Sequence, residues 1–454
     1  MTEAPVIVVG AGIGGLALAQ RAASLGRIVV VLERSGRVGG QIELAGVGGR
    51  EIDLGAESFA VRGGAGAELL DELGLGDELT LPRPAAAWVH ADPRPYPLPA
   101  TGLLGIPTRP LASDVRLALG LPGALRAAAD RVLPRLRAGA DTIGERTLGE
   151  VVGRRMGRRA TERLVDPVVR GVYSARAADL RLATASPQLA RALAEHGRLA
   201  PAAAAVRASS PAGSAVAGVR GGIGRLVAAL AGDLERLGAR VRLGADVTAV
   251  AADHVVVDGQ RIDGFVVVAA PGLVGEVTAR RTITVVAAAV RSRELDAAPR
   301  GTGVLVAPGA RGITARALTH SSVKWSWLAA RDGVHLLRLS YDVPPGPERL
   351  AGVVAADVAR LTGARDVEVL DVVTRTWTRT IGVRPPGAAA APGPLVVGEA
   401  SGRSGLAAIL AHVRGDDVAR ALDPAGAVPA IRAPAGTPAR AHTPRTIDER
   451  TSLP

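Results

Sequence analysis

The sequence predicts an α/β protein: a largely parallel sheet assembled from separated segments, joined to a mixed sheet and a helical insertion. Three observations predict it. A strand–turn–helix–strand unit opens the chain. A second glycine turn with a buried strand returns over residues 221–271, and a third glycine turn follows the short strand after residue 394.

The opening unit carries the most information. Val6–Val9 reads as a buried strand, and Gly10-Ala11-Gly12-Ile13-Gly14-Gly15 follows at once. Leu16, Ala19, Ala22 and Ala23 recur at helical spacing, and the apolar run Ile28–Leu32 ends in Glu33. A G-x-G-x-x-G turn inside a βαβ unit, with an acid about 20 residues further on, is the Rossmann layout for a dinucleotide. Gly10 permits the tight turn, Gly12 lets backbone approach a pyrophosphate, and Gly15 lets helix and strand pack closely. The helix start offers unpaired N–H groups and the positive end of its dipole to phosphates. Gly10, Gly12, Gly14 and Gly15 are expected to line the cofactor, and Glu33 to accept hydrogen bonds from ribose hydroxyls.

Arg34-Ser35-Gly36-Arg37-Val38-Gly39-Gly40 comes directly after the acid, and Asp53-Leu54-Gly55-Ala56-Glu57-Ser58 after a short polar excursion. Paired glycines allow backbone to lie against a flat cofactor, and an arginine can neutralise phosphate charge. The pattern resembles the extended fingerprint of the flavin-containing amine oxidase superfamily, in which R-x-G-G and D-x-G turns line the pyrophosphate and the flavin. That resemblance implies FAD and adds Arg34, Arg37, Gly39, Gly40, Gly55, Ala56, Glu57 and Ser58 to its expected contacts. The chain has no cysteine, which excludes a cysteinyl-flavin bond, so the cofactor is expected to be non-covalent.

Length and composition agree. With 454 residues, the chain accommodates two or three domains; aromatics are only 2%, so the core must come from Ala, Val and Leu. No apolar run reaches the length of a bilayer span and no charged leader precedes the first strand, so a cytoplasmic protein is expected. The net charge of +12 comes from arginines spread along the chain, with Lys324 the only lysine, and no nucleic-acid motif accompanies it. No nucleic-acid partner is expected. The seven histidines fall singly, without metal-ligand spacing, so no metal site is expected.

Further along, Glu68–Gly74 reads as a short helix with a glycine stop, and Tyr96–Thr108 as a proline-punctuated loop or edge ribbon. Residues 113–193 read as helical, with a capped start at Thr147–Glu150 and a break at Asp166–Tyr173. The Ala-rich stretch Ala202–Ala205 is compatible with helix or linker. After the turn at Gly221–Gly224 come strands at Arg240–Leu243 and Val247–Val250, a ribbon turning at Asp258-Gly259, and the buried run Gly264–Pro271, where Ala270 is expected at the cofactor. Strands at Thr282–Val290, Gly303–Val306 and Leu336–Leu339, with a helix near Pro347–Leu361, form the mixed sheet. Trp325 and Trp327 alternate as in a strand. Leu395–Val397 closes on Gly398-Glu399, both expected at the cofactor, and Gly402–Leu422 reads as a turn and helix. The expected division is 1–85, 212–275 and 385–423 for FAD, 86–110 and 276–384 for substrate, 111–211 helical, and 424–454 a disordered tail.

Several stretches resemble the oxygen-dependent protoporphyrinogen/coproporphyrinogen oxidase family: Asp53–Ser58, Leu98–Thr108, Thr147–Val172, Gly301–Trp325 and Leu336–Ser340. The resemblance implies six-electron aromatisation of a porphyrinogen, a tetrapyrrole substrate, with oxygen as acceptor and hydrogen peroxide as product, in heme biosynthesis. Coproporphyrinogen III is favoured over protoporphyrinogen IX because four carboxylates profit more from a basic protein than two. It implies that Arg170 and Gly171 lie against the macrocycle, that Val247 meets the adenine through its main chain, and that Gly405, Leu406 and Ala407 flank the flavin pyrimidine. No catalytic acid or base is singled out. The helical segment is implied to border the substrate channel, with peripheral membrane contact left open, and the protein is expected to be a monomer or homodimer. After Trp377 the family's Gln-Tyr and His element is missing. Another superfamily activity, on amines or polyenes, and a flavoprotein without turnover stay open as alternatives.

Overall fold

The computed structural model describes residues 4–61, 63–173, 175–209, 216–384 and 393–423. The expected tail at 424–454 lies outside them, as do residues 385–392 of the altered segment after Trp377 and residues 212–215 at an expected domain boundary.

Five parallel strands form the first sheet, in the order Arg240–Leu243, Val29–Glu33, Val6–Val9, Phe265–Val268 and Leu395–Val396. Val6–Val9 lies in its middle and is buried throughout, as an uninterrupted valine and isoleucine run in a parallel sheet should be. Helix Ile13–Ser24 packs against helices Gly224–Arg236 and Leu406–Arg414. The ribbon Val247–Val250, His254–Val257 and Gln260–Asp263 shares an apolar cluster with Ile7, Val9, Leu32, Val266 and Val268.

The second sheet has seven strands, in the order Glu368–Arg384, Glu276–Arg291, Val334–Tyr341, Ala317–His320, Gly303–Val306, Ala87–His90 and Tyr96–Pro97. It is mixed: Gly303–Val306 runs parallel to Ala87–His90, and the other pairings are antiparallel. Side chains alternate along a strand. Leu337, Leu339 and Tyr341 therefore pack with Val286, Ala288 and helix Pro347–Thr362, while Leu336 packs with Val285, Ala287, Trp325 and the hairpin residues Val47, Ile52 and Leu54. That second face sets the hairpin Leu44–Val47/Arg50–Asp53, and the turn after it, against the mixed sheet.

The described residues between 113 and 208 form mainly helices, from Ser113–Ala128 to Leu199–Ala208, around a core that also takes in Val89, Tyr96, Ile106 and Ala307. Thr147 and Glu150 form the expected capping box, and Ala202–Ala205 is helix. Arg155 Nε meets the buried Asp130 Oδ1 at 2.5 Å, and the other Asp130 oxygen accepts the Ala200 amide at 2.9 Å. The expected break at Asp166–Tyr173 is instead a helix, continuous with Arg158–Ala160 through a π turn at Thr161–Val165, and Pro167 follows directly on that π turn, where the regular ladder is already interrupted. Trp325 and Trp327 do not lie on a strand. They cap and occupy two short helical turns, Ser321–Lys324 and Ser326–Leu328. The expected helix over Gly402–Leu422 is two, Leu406–Arg414 and Asp416–Leu422, each ended in its own right.

Helix Ser113–Ala128 bends at Gly120 (φ +69°) before Pro122 and leaves Leu117, Leu121 and Leu125 exposed, as are Leu111 and Val132 nearby. Arg109, Arg116, Arg126, Arg131, Arg135 and Arg137 are exposed in the same stretch of sequence; Asp130 is buried and Asp114 half-buried. Among the described residues no helix is long and apolar enough to cross a membrane.

His320 and His335 are both buried in the mixed sheet, with His320 Nε2 3.1 Å from His335 Nδ1 and His335 Nε2 2.9 Å from Asp296 Oδ1. Burial, and then the charge of His335, pushes His320 down to about 3 from 6.5. His320 is thus neutral in the folded protein, whereas the unfolded chain protonates it below about pH 6.5. Its contribution is fully present above that pH and is lost on acidification towards 3, by about 1.4 kcal/mol per pH unit. The urea midpoint should fall between pH 7.5 and 5, and less steeply in His320→Asn; equal slopes in the two proteins would refute this assignment.

Candidate functional site

The glycine turn is built as its spacing requires. Gly10 has φ +102°, and its amide donates to Leu32 O at 2.8 Å. A Cβ on Gly15 would lie 1.9 Å from Gly10 O, so helix and strand touch there. A Cβ on Gly10 would meet the Ala270 amide nitrogen at 2.9 Å, which places Ala270 on the turn. A Cβ on Gly14 would lie 3.1 Å from Gly398 Cα and 3.0 Å from Ile409 Cγ2, which joins the last parallel strand and its helix to the turn. Gly12 bridges Gly39, and Gly40 packs behind it, a Cβ there falling 3.2 Å from Gly12 Cα. The other side of Gly12 is open: a Cβ on it would meet nothing within 4 Å.

Helix Ile13–Ser24 begins at this open side with no side-chain cap and no acid in its first turn. The same is true of helix Leu406–Arg414, whose N-cap Gly405 has φ +86°. Two neighbouring helices thus present uncapped N–H groups, the arrangement that stabilises phosphate and other electron-rich groups. Leu406 is buried and Ala407 half-buried at that second start.

Glu33 is fixed at the end of its strand: one oxygen accepts the Ala11 amide at 2.7 Å, the other the Ser35 amide and hydroxyl at 2.8 Å each. Val247 packs beside it, in one cluster with Val9 and Leu32. Arg34 is exposed. Arg37, expected at a phosphate, is engaged within its own loop. It donates to Val38 O at 3.0 Å, Gly40 O at 2.5 Å and Ile42 O at 3.1 Å, and pairs with Glu43 at 2.9 Å, so it braces the Gly39-Gly40 turn.

The D-x-G turn shows what sequence reasoning missed. Gly55 presses on Gln41 O, where a Cβ would come within 1.7 Å, and the Ala56 amide donates to the same oxygen at 3.2 Å. Asp53 does not face the turn. Its buried carboxylate accepts the Ile223 and Gly224 amides at 2.9 and 3.2 Å and so caps helix Gly224–Arg236. Burial pushes Asp53 up to about 6 against those bonds and the charge of Arg338.

Glu57 is clamped between two cations, Lys324 and Arg338, the latter at 2.8 Å. Burial alone would raise its pKa, but the charges and hydrogen bonds of Lys324 and Arg338 bring it to about 2. Arg338 also donates to Leu54 O at 2.9 Å and Gly55 O at 2.6 Å, so the clamp fixes the turn's backbone. Lys324 stands 5.0 Å above the Trp325 ring. The signal for Lys324 was its rarity: one lysine in a chain that otherwise uses arginine. Ser58 follows, half-buried. Across the cradle, Gln41 Nε2 donates to Glu399 Oε2 at 2.9 Å.

The structure therefore gathers Gly10–Gly15, Glu33, Gly39, Gly40, Gly55–Ser58, Val247, Ala270, Gly398, Glu399 and Gly405–Ala407 around the carboxyl ends of the parallel strands. Arg170 and Gly171 lie elsewhere, on helix Asp166–Tyr173 against the mixed sheet, with Gly171 packed on Leu305.

The family of flavin containing amine oxidoreductases matches residues 13–274. The coproporphyrinogen III oxidase of Mycobacterium tuberculosis (strain ATCC 25618 / H37Rv) is 33% identical over 429 residues, covering 85% of this chain and 88% of the relative. That of Bacillus subtilis (strain 168) is 31% identical over 201 residues, 43% of this chain and 42% of the relative. A crystal structure from Exiguobacterium sp. 255-15, provisionally named a protoporphyrinogen oxidase, shares the fold with a TM-score of 0.75 at 22% identity, over 93% of this chain and 99% of that one. Cyclohexylamine oxidase from Brevibacterium oxydans IH-35A shares it at 0.59 and 15% identity, over 88% and 94%.

Proposed function

Because the chain belongs to the flavin-containing amine oxidoreductase family, within its protoporphyrinogen/coproporphyrinogen oxidase branch, and is an FAD-dependent oxidase, we propose that it converts coproporphyrinogen III to the porphyrin in heme biosynthesis, with oxygen as acceptor and hydrogen peroxide as product. The observation that carries this reading is the near-full-length similarity to coproporphyrinogen III oxidases. Protoporphyrinogen IX is the second substrate to test.

Bound FAD supplies the redox chemistry, taking up the hydrogen equivalents that leave the substrate. The protein's part is to hold and orient. In this reading Gly10–Gly15, with Gly39 and Gly40, receive the pyrophosphate at the uncapped helix start, Glu33 takes the ribose, and the Val247 main chain takes the adenine. Gly55–Ser58, Ala270, Gly398, Glu399 and Gly405–Ala407 surround the flavin. The segments 1–85, 212–275 and 385–423 act as the FAD domain, and 86–110 with 276–384 as the substrate domain.

The test is direct. Purified protein should be yellow, and under air should generate porphyrin fluorescence from coproporphyrinogen III faster than from protoporphyrinogen IX, with peroxide formed alongside. A yellow protein that oxidises neither porphyrinogen would overturn the substrate assignment and turn attention to amines.

We also propose that the exposed leucines of helix Ser113–Ala128, in a stretch rich in exposed arginines, rest on an anionic lipid surface. The protein should float with vesicles containing anionic phospholipid and not with zwitterionic ones, and Leu117→Ser/Leu121→Ser/Leu125→Ser should abolish flotation. Unchanged flotation of that variant would exclude this face.

A further inference from the structure

The mixed sheet gathers arginines beyond the end of its Val334–Tyr341 strand. Arg316, with a side chain 11% exposed, donates to Asp342 Oδ1 at 2.7 Å and to the Arg170 carbonyl at 2.8 Å. Its Nε is buried with no acceptor, as is the Nε of Arg170. Arg281, from the neighbouring long strand, reaches Asp179 at 3.1 Å, and Arg176 grips the same carboxylate through both oxygens at 2.9 Å. Burial holds the Arg316 guanidinium below its ordinary pKa, Asp342 opposes this, and the charges of Arg170 and Arg281 add to it. The three cations therefore sense one another. Four guanidiniums stand together: Asp342 pairs with Arg316, Asp179 with Arg281 and Arg176, and the charge of Asp166 acts on Arg176 as well, while Arg170 has no ion pair with an acid among the described residues. Like charges held together in a half-buried place are unfavourable unless an anion completes the set.

The position gives this excess a purpose. Leu336, Arg338 and Ser340 share one face of their strand. Leu336 lies under the cofactor hairpin, Arg338 holds Glu57 and the D-x-G turn, and Asp342 follows at the far end. Four residues of strand, about 13 Å, separate Arg338 from Asp342. Ile283 and its cross-strand neighbour Trp377 are partly buried apolar side chains of the same face. Gly171 is exposed beside Arg170 and presents no side chain at the rim.

We infer that Arg316 and Arg281, with Arg170 beside them, form a carboxylate-binding site that takes an acidic side chain of the substrate, while the apolar strand face leading to the Gly55–Ser58 turn receives the ring. The inference rests on the porphyrinogen reading and deepens it: the ring would be oriented through its carboxylates, and a substrate with more of them would be preferred. Guanidinium forks suit this task because two parallel N–H groups match a carboxylate.

The experiment uses FAD-loaded protein and two probes with the same ring, coproporphyrin III and its tetramethyl ester, with binding followed by quenching of porphyrin fluorescence. Wild type should bind the acid more tightly than the ester, and added salt should weaken the acid only. Arg281→Met should weaken the acid about tenfold and leave the ester and the flavin spectrum unchanged. Arg316→Met should do the same, and Arg316→Lys should recover part of the loss. Arg281 is the more exposed of the two, so its variant decides the matter if the Arg316 variants do not fold. Variants that bind the acid as wild type does, or that lose acid and ester equally, would overturn the carboxylate site while leaving porphyrin binding intact. A wild type that binds neither probe would instead remove the porphyrinogen reading on which the site depends.

Discussion

Gly12→Val is expected to yield a folded, colourless protein. A Cβ at Gly12 would meet nothing within 4 Å, so the protein itself has room for the larger side chain and thermal stability should stay close to that of the apo wild type. The room is on the side where helix Ile13–Ser24 begins without a cap, which is where we propose that the pyrophosphate sits. Filling it should weaken FAD by about a hundredfold or more, the equivalent of losing one or two charge-assisted hydrogen bonds. Gly15→Val is the contrasting case. Its Cβ would come within 1.9 Å of Gly10 O, so the helix must leave the strand and the fold itself should weaken. Equilibrium dialysis against FAD and a melting curve separate the two. A Gly12→Val protein that holds FAD as tightly as wild type would mean that the phosphates lie elsewhere.

Glu57→Gln is expected to carry the largest stability loss of any single polar substitution near the cofactor. The change keeps the side chain's size and removes its charge, which leaves Lys324 and Arg338 as two half-buried cations without their shared anion. Removing one partner from such a pair typically costs about 3–5 kcal/mol. The turn should loosen as well, because Arg338 also holds Leu54 O and Gly55 O. Denaturant unfolding of apo protein gives the first effect and FAD affinity the second. In the double variant Glu57→Gln/Lys324→Met, part of the stability should return, since one of the stranded charges is gone. Additive losses in the double variant would show that Glu57 and Lys324 are not coupled.

The geometry of the opening glycine turn was legible because its signals are local. Gly10–Gly15 must turn, pack and leave backbone open within six residues, and Glu33 ends the next strand, so spacing alone places them. The mixed sheet was legible in part: the apolar runs at residues 282–290, 303–306 and 336–339 lie within the strands Glu276–Arg291, Gly303–Val306 and Val334–Tyr341. Glu368–Arg384 was not legible, because its polar residues alternate with too few large apolar ones and its pairing with Glu276–Arg291 comes from a long antiparallel register. Asp53 looked like part of a turn and proved to be the cap of a helix 170 residues later in sequence, a partner that no window could reveal. The Lys324–Glu57–Arg338 clamp is of the same kind: three residues from distant segments, paired by sheet stacking. Asp166–Tyr173 failed for the opposite reason, local chemistry misjudged, since a proline is accommodated inside a helical run where a π turn already interrupts the regular ladder.

The order of the parallel sheet also fixes a timetable for the growing chain. Val6–Val9 emerges first during synthesis yet has Phe265–Val268 as its neighbour on one side, and the strand beyond that comes from residues 395–396. For more than half of translation the innermost strand therefore keeps one flank bare, a surface that invites wrong partners. Gly398, which meets the opening turn at Gly14, and Glu399, which accepts from Gln41, arrive later still, so these contacts close only when nearly the whole described chain has left the ribosome.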